Sequence, residues 1–313
     1  MNYLVTGCTG FVGRHLIKSL LQQPDTNVLG VGRHQTNSLN VNFIKIYDLN
    51  GTTDWSEALT NIDVVIHLAA RVHVMKELSA DPLSEFRKVN VEGTRQLALQ
   101  AANVGVKRMV YVSSIKVNGE KTMDKPFNEC DPAAPQDAYG ISKYEAELAL
   151  KKIADNSGLE IVIVRPPLIY GPGVKGNFLQ LYRAVTKGLP LPFSSIKNSR
   201  SFLYVGNLVD ALILCATHPK AAGKTYLISD GQDVSTPNLV KALTDVLGLK
   251  DRLFHCPTSI LKCLGIVTGR KDQMDRLLDS LQVYNCKLTH DLGWEPKFGL
   301  HEGLRNTFET GFN

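Results

Sequence analysis

Short, almost unbroken apolar runs alternate with stretches of helical period through the first half of the chain. The strand-like runs are Tyr3–Thr6, Val28–Val31, Phe43–Tyr47, Val64–Leu68, Met109–Ser113 and Ile161–Val164. Between the first two, Phe11 to Leu21 repeats its apolar residues at helical spacing. Between the fourth and fifth, Asp81-Pro82 opens a further helix, because aspartate can accept from a first-turn amide and proline fits the first helical position. Its apolar face runs through Phe86, Val89, Leu97 and Ala101. Strands apolar on both faces and separated by helices predict a parallel sheet covered on both sides, a doubly wound α/β fold.

The texture changes after about residue 166. Glycine and proline punctuate the chain at Pro166-Pro167, Gly171-Pro172-Gly173 and Gly188 to Pro192, and strand patterns thin out. The pattern predicts a first domain over 1–166, rejoined near 206–229 by segments such as Thr225–Ser229. A smaller C-terminal lobe is built from 167–205 and 230–313.

Composition narrows the function without choosing it. The 313 residues are 43% apolar and 21% charged, enough to bury a large core. Thirty-five basic against 30 acidic residues leave a net charge of +5 with no long basic run. That suits an anionic small molecule and argues against nucleic acid as a partner. Cys8, Cys130, Cys215, Cys256, Cys263 and Cys286 are scattered without metal-ligand spacing, so no metal site and free thiols in a reducing cytoplasm are expected. The strand-like Asn2–Thr6 leaves no room for a signal peptide. The apolar stretch Ile260–Thr268 contains Lys262 and is far below the ~20 residues of a membrane span, so no membrane insertion is expected.

The first strand runs into Gly7-Cys8-Thr9-Gly10-Phe11-Val12-Gly13 and then a helix. Glycine permits a turn this sharp and a close approach to a pyrophosphate, whose charge helix N-terminal amides then meet. In the first strand–turn–helix of an α/β pattern, this points to a Rossmann-type NAD(P) site. The second strand ends in Val31-Gly32-Arg33-His34, where an acid would grip the 2′-hydroxyl of NAD. Arg33 instead suits a 2′-phosphate, which favours NADP(H) and leaves NAD as the alternative. Asp48 and Leu49 after the third strand, and Leu68, Ala69 and Ala70 after the fourth, would flank the adenine end.

Tyr139 and Lys143 share one face of a helix, four residues apart. An ammonium near a phenol favours the phenolate, so Lys143 is expected to lower Tyr139, as would a positively charged nicotinamide. Ser114, at the end of the fifth strand, can hydrogen-bond the same substrate oxygen. Together these residues form a catalytic set.

The motifs resemble the extended short-chain dehydrogenase/reductases, in particular their nucleotide-sugar epimerase/dehydratase branch, over nearly the whole chain. The marks are T-G-x-x-G-x-x-G at 6–13, H-L-A-A at 67–70, N-V-E-G-T at 90–94, S-S at 113–114, Y-x-x-x-K at 139–143 and R-P-x-x-x-Y-G-P at 165–172. The resemblance implies that Asn90 helps hold the nicotinamide side and that Pro166 joins the cofactor set. It places Asn177, Arg200 and Arg276 at the nucleotide diphosphate, and it implies a homodimer paired through 82–104 and 139–157.

Departures from the branch sharpen this. Its 4,6-dehydratases carry Asp-Glu directly after the catalytic Ser/Thr, where Ile115 and Lys116 stand here, so dehydration is not expected. Its UDP-galactose-type 4-epimerases keep an acid after the second strand, which this chain lacks, and often place Asn where Leu168 stands. The runs at 67–75 and 113–120 look like a subgroup from O-antigen gene clusters, proposed to act on UDP-linked 4-keto-6-deoxy amino sugars. The leading expectation is therefore NADPH-dependent reduction at C4 of a UDP-4-keto-6-deoxy-N-acetylhexosamine. The first alternative is a UDP-glucose or UDP-N-acetylglucosamine 4-epimerase with bound NAD. The second is a cofactor-sensing regulator without catalysis.

Overall fold

A computed structural model describes residues 1–34, 40–72 and 81–309. Residues 73–75 of the run beginning at His67 therefore lie outside the described residues. Seven parallel strands form one sheet in the order β3-β2-β1-β4-β5-β6-β9. They are β1 (Asn2–Thr6), β2 (Asn27–Gly32), β3 (Asn42–Lys45), β4 (Val64–His67), β5 (Arg108–Val112), β6 (Glu160–Arg165) and β9 (Thr225–Leu227). The order reverses between β1 and β4, so the glycine turn after β1 opens at the switch point of a doubly wound sheet. The third strand stops at Lys45, short of the expected Tyr47, which is 78% exposed with the Lys45 ammonium 4.8 Å from its ring centroid.

The period-2 alternation of each strand divides the core. Tyr3, Val5, Ile66, Val110, Val162 and Val164 face one layer, which contains α1 (Phe11–Leu20) and α6 (Val205–Thr217). Leu4, Val65, Met109, Ile161 and Ile163 face the other, against α3 (Thr94–Asn103) and α4 (Ala138–Asp155). The first apolar cluster continues into the C-terminal region through Tyr170, Phe178, Leu243 and Leu304. There a two-stranded parallel sheet pairs β7 (Leu168–Tyr170) with β8 (Phe202–Tyr204). Around it lie α5 (Gly176–Thr186), α7 (Thr236–Leu247), α8 (Thr258–Val267), α9 (Lys271–Leu278), α10 (Cys286–Leu292) and α11 (Leu300–Glu309). Buried Asp230 fastens this region. It accepts from the backbone amide of Tyr204, from Asn207 and from the Tyr170 hydroxyl, and burial raises its carboxyl to about 6.

The helix predicted from Asp81 is interrupted. Asp81 accepts from the Ser84 amide and Pro82 opens α2 (Pro82–Phe86), as the local pattern requires. A π-helical turn, Arg87–Gly93, then separates it from α3. Asn90 sits at this turn, 1% exposed, pulled inward by the partners described below.

Candidate active site

The glycine turn is shaped by what a side chain would strike. Gly7 has φ +67°, and a Cβ there would lie 2.8 Å from the Ala69 nitrogen. A Cβ on Gly13 would lie 2.3 Å from the Gly7 carbonyl oxygen, so α1 can approach the turn only with glycine in place. Gly10 begins α1 with no side-chain cap, leaving the first-turn amides, including those of Phe11, Val12 and Gly13, for an anionic group. This cradle fits the pyrophosphate of a dinucleotide. The loop after β4 is clamped beside it. Thr6 Oγ1 receives the Ala69 amide at 3.2 Å and lies 2.6 Å from His67 Nδ1, while His67 Nε2 lies 2.9 Å from Thr94 Oγ1. Burial, with the nearby Lys143 charge, pushes His67 down to about 3, so the ring is a neutral strut.

The remaining cofactor candidates surround this cradle. Arg33 is exposed just after β2, while the preceding Gly32 is buried, an added Cβ there lying 3.5 Å from the Phe43 ring and 3.7 Å from Thr9 Oγ1. Asp48 is exposed, and its carbonyl accepts from Thr53 Oγ1 at 2.9 Å. Leu49 packs under Gly93, where a Cβ would meet Leu49 Cγ at 2.7 Å. Leu68 is half-buried against the first core cluster, followed by Ala69 and Ala70. Pro166 is buried and its carbonyl accepts the Ile115 amide at 3.0 Å, tying the end of β6 to the segment after β5. Asn90 accepts the Arg71 amide at 2.8 Å and donates to the Arg71 carbonyl at 3.0 Å and to Ser142 Oγ at 2.9 Å. It thus joins the loop after β4 to the helix that bears Tyr139 and Lys143.

Asp137 caps α4 by accepting the Gly140 amide at 2.7 Å, so the helix starts at Ala138, one residue before Tyr139. Ser114 is near enough to the Tyr139 phenol to favour its charged form, and Lys143 follows Tyr139 one turn later. The expectation that Lys143 lowers the phenol is not met by the chain alone. Tyr139 as a residue is half-buried, but its hydroxyl end is enclosed; burial and the Asp137 charge outweigh the pull of Ser114 and push it up to about 12. Lys143 is 2% exposed, and burial pushes it down to about 7 against the pull of Glu147. Enclosure disfavours the charge on both partners at once.

Four further residues, to which the sequence reading gave no role, brace this set. Glu147 is fully buried one turn beyond Lys143. It accepts from Ser113 Oγ at 2.6 Å and from Arg165, Nε at 2.9 Å and Nη2 at 2.5 Å. Arg165 also donates to Asn118 Oδ1 at 2.9 Å. Ser113 adjoins Ser114 and Arg165 adjoins Pro166, so one buried ion pair aligns three site segments. Its sequence signal was Glu147 at Lys143 plus four. At the two positions where the branch's dehydratases place acid and base, Ile115 is buried among Leu227, Leu281 and Val283. Lys116 is ion-paired with Glu120 at 2.7 Å and with Asp137. Neither side chain can act as a carboxyl acid or base.

Arg200 and Arg276 are brought within electrostatic reach of each other. Arg200 donates to the Asp279 carbonyl at 2.7 Å and is pushed down to about 10 by burial, with Asp279 and Glu120 opposing and Arg276 adding. Asn177 stands half-buried in the first turn of α5.

Comparison with known proteins agrees with this geometry. Residues 3–229 match the model of the NAD dependent epimerase/dehydratase family. A UDP-glucose 4-epimerase of Vibrio cholerae is 46% identical over 309 residues, covering 98% of this chain and 94% of that protein. The structure of MoeE5 in complex with UDP-glucose and NAD superposes with a TM-score of 0.80 at 28% identity, covering 99% of this chain and 98% of that one. UDP-glucose 4-epimerase from Thermotoga maritima, with UDP-glucose, gives 0.78 at 25% identity over 99% and 98%. With its parallel sheet, glycine cradle and Ser-Tyr-Lys set, the chain belongs to the NAD dependent epimerase/dehydratase family of enzymes.

Proposed function

We propose that the protein interconverts the C4 epimers of a UDP-hexose, with a nicotinamide cofactor retained through the cycle. The observation that supports this best is the grouping of Ser114 with Tyr139 and Lys143 of α4, in a chain 46% identical to a UDP-glucose 4-epimerase over almost its full length. Ser114 orients O4 and Tyr139 takes up and returns its proton. Lys143, one turn away on the same helix, holds the ribose. When bound, the cofactor exchanges hydride with C4 and, in its oxidised form, adds a positive charge that lowers the phenol from about 12. The replacement of the dehydratase acid and base by Ile115 and Lys116 argues against water loss.

In this reading residues 1–166, with 206–229, hold the cofactor through Gly7, Gly10, Phe11, Val12, Gly13, Asp48, Leu49, Leu68 to Ala70, Asn90 and Pro166. Residues 167–205 and 230–313 hold the nucleotide sugar, with Asn177, Arg200 and Arg276 at its diphosphate. The enzyme works in the cytoplasm as a homodimer paired through α2–α3 and α4.

A second reading is the sequence-led one, NADPH-dependent reduction of a UDP-4-keto-6-deoxy-N-acetylhexosamine. Exposed Arg33 at the end of β2, where no acid stands, favours it, because a guanidinium can pair with a 2′-phosphate and a bare ribose offers it no charge. Two incubations separate the readings. Purified protein with UDP-glucose or UDP-N-acetylglucosamine and no added cofactor should yield the C4 epimer. If no epimer forms, while NADPH is oxidised stoichiometrically with UDP-4-keto-6-deoxy-N-acetylglucosamine, the epimerase reading is lost and the reductase stands.

A further inference from the structure

We propose that α8 is a peripheral anchor that docks the C-terminal region on an anionic lipid surface. Only Leu261 and Gly265 of its ten residues are buried. Gly265 is what brings α9 close: a Cβ there would lie 2.9 Å from Met274 Cβ. The rest of the helix faces outward and is largely apolar. Ile260 and Leu264 are each 49% exposed, Ile266 64% and Val267 78%. Ile260, Leu264 and Val267 follow the i, i+4, i+7 spacing of a single stripe. Phe254, in the segment leading into the helix, adds a ring that is 47% exposed.

Basic residues adjoin this stripe. Lys262 within the helix and Arg270 and Lys271 directly after it are exposed, against Asp272, which leaves three positive and one negative charge, a local net of +2. Outward apolar side chains with lysine and arginine alongside are the pattern of a helix that lies in a bilayer interface. At 1.5 Å per residue the helix is about 15 Å long, so it rests on a membrane rather than crossing it. Among the described residues no helix is long and apolar enough to cross.

The occupant follows from charge and area. A second copy seated here in two-fold fashion would place the same patch against itself, Lys262, Arg270 and Lys271 facing their own counterparts. Four apolar side chains on one short helix also fall well short of the roughly 800 Å² per partner that a stable interface buries. An anionic lipid surface accepts the apolar stripe and neutralises the basic border together. Because α9 follows directly and carries Arg276 toward Arg200, docking would bring that arginine pair near the membrane plane. The proposal does not depend on which C4 chemistry the site performs.

Flotation of the full chain with vesicles tests it. With 70:30 phosphatidylcholine:phosphatidylglycerol in about 0.1 M salt the protein should float, and at least fivefold less of it should float with phosphatidylcholine alone or in about 0.5 M salt. The exposed pair Leu264→Ser/Val267→Ser should lower partitioning at least tenfold, and Lys262→Glu/Lys271→Glu at least fivefold, with far-UV circular dichroism and thermal midpoint unchanged. Should the serine pair unfold, the charge pair and the lipid and salt dependence of the wild type decide the matter. Failure of the wild type to float on the anionic vesicles overturns the proposal, as does equal flotation of the charge variant. A dimer that the serine pair converts to monomer in light scattering, without wild-type flotation, would assign the face to a second copy instead.

Discussion

The Lys143 ammonium stands over the face of the buried Tyr111 ring, 4.1 Å from its centroid. Tyr111 comes from β5 and Lys143 from α4, so a sheet residue supports the charge that a helix residue carries. A cation over an aromatic face gains about 0.5–2 kcal/mol, more when desolvated. Replacing Tyr111 by Leu removes that support, so Lys143 should lose its proton at lower pH. The activity limb that reports protonated lysine should then move down by about half to one pH unit, while Tyr111→Phe, which keeps the ring, leaves it in place. A Leu variant with the wild-type profile would show that the ring contact has no electrostatic consequence.

The lowered Lys143 has a stability consequence with a definite sign. Between about 7 and its ordinary 10.5 the unfolded lysine carries a proton that the folded one has lost. Stability therefore rises with pH through that window, and the penalty for burying the ammonium is largest below about 7. Lys143→Met should be inactive yet more stable than wild type at pH 6 by about 2–4 kcal/mol. Urea unfolding across pH should show that advantage shrinking toward nothing near pH 10. A constant advantage at every pH would contradict a buried, proton-losing lysine.

Tyr139→Phe removes the hydroxyl that meets Ser114 and leaves the ring packed edge-on against Phe86. Turnover should fall by about 10²–10⁴-fold, the range of a lost proton donor, while cofactor affinity stays near wild type. A variant within threefold of wild-type turnover would take Tyr139 out of the chemistry.

The Glu147–Arg165 pair is buried on both sides, 0% and 6% exposed at the side chains. Glu147→Gln leaves a guanidinium without its counter-charge and should destabilise the fold by about 3–5 kcal/mol in urea titration. The double change Glu147→Gln/Arg165→Met should recover much of that loss. If the single change is neutral, the pair does not align the site segments.

Arg33→Ala tests cofactor choice directly. Removing a charge-assisted bond to a 2′-phosphate should weaken NADPH binding by about 1–3 kcal/mol and leave NADH almost untouched, as fluorescence titration of the two cofactors would show. Equal effects on both, or none, would leave the retained-NAD epimerase without its main rival.

What the sequence by itself determined is what local physics determines. The strand runs, the Asp81-Pro82 opening, the glycine turn and the one-turn spacing of Tyr139 and Lys143 depend on neighbours within a few residues, and they stand in the structure except that the third strand ends two residues early, at Lys45. Tertiary contacts decided the rest. The π-helical turn at Asn90 arises because its amide must satisfy Arg71 and Ser142, 19 and 52 residues distant. The brace on the active site joins Glu147 to Ser113 and Arg165, 34 and 18 residues away. The charge states of Tyr139 and Lys143 run opposite to the expectation from adjacency, because enclosure by other elements outweighs the attraction of a neighbour four residues along. In the sequence the α8 stretch shows only as apolar and too short to span a membrane, since spacing says which residues share a face and only packing decides whether anything covers it.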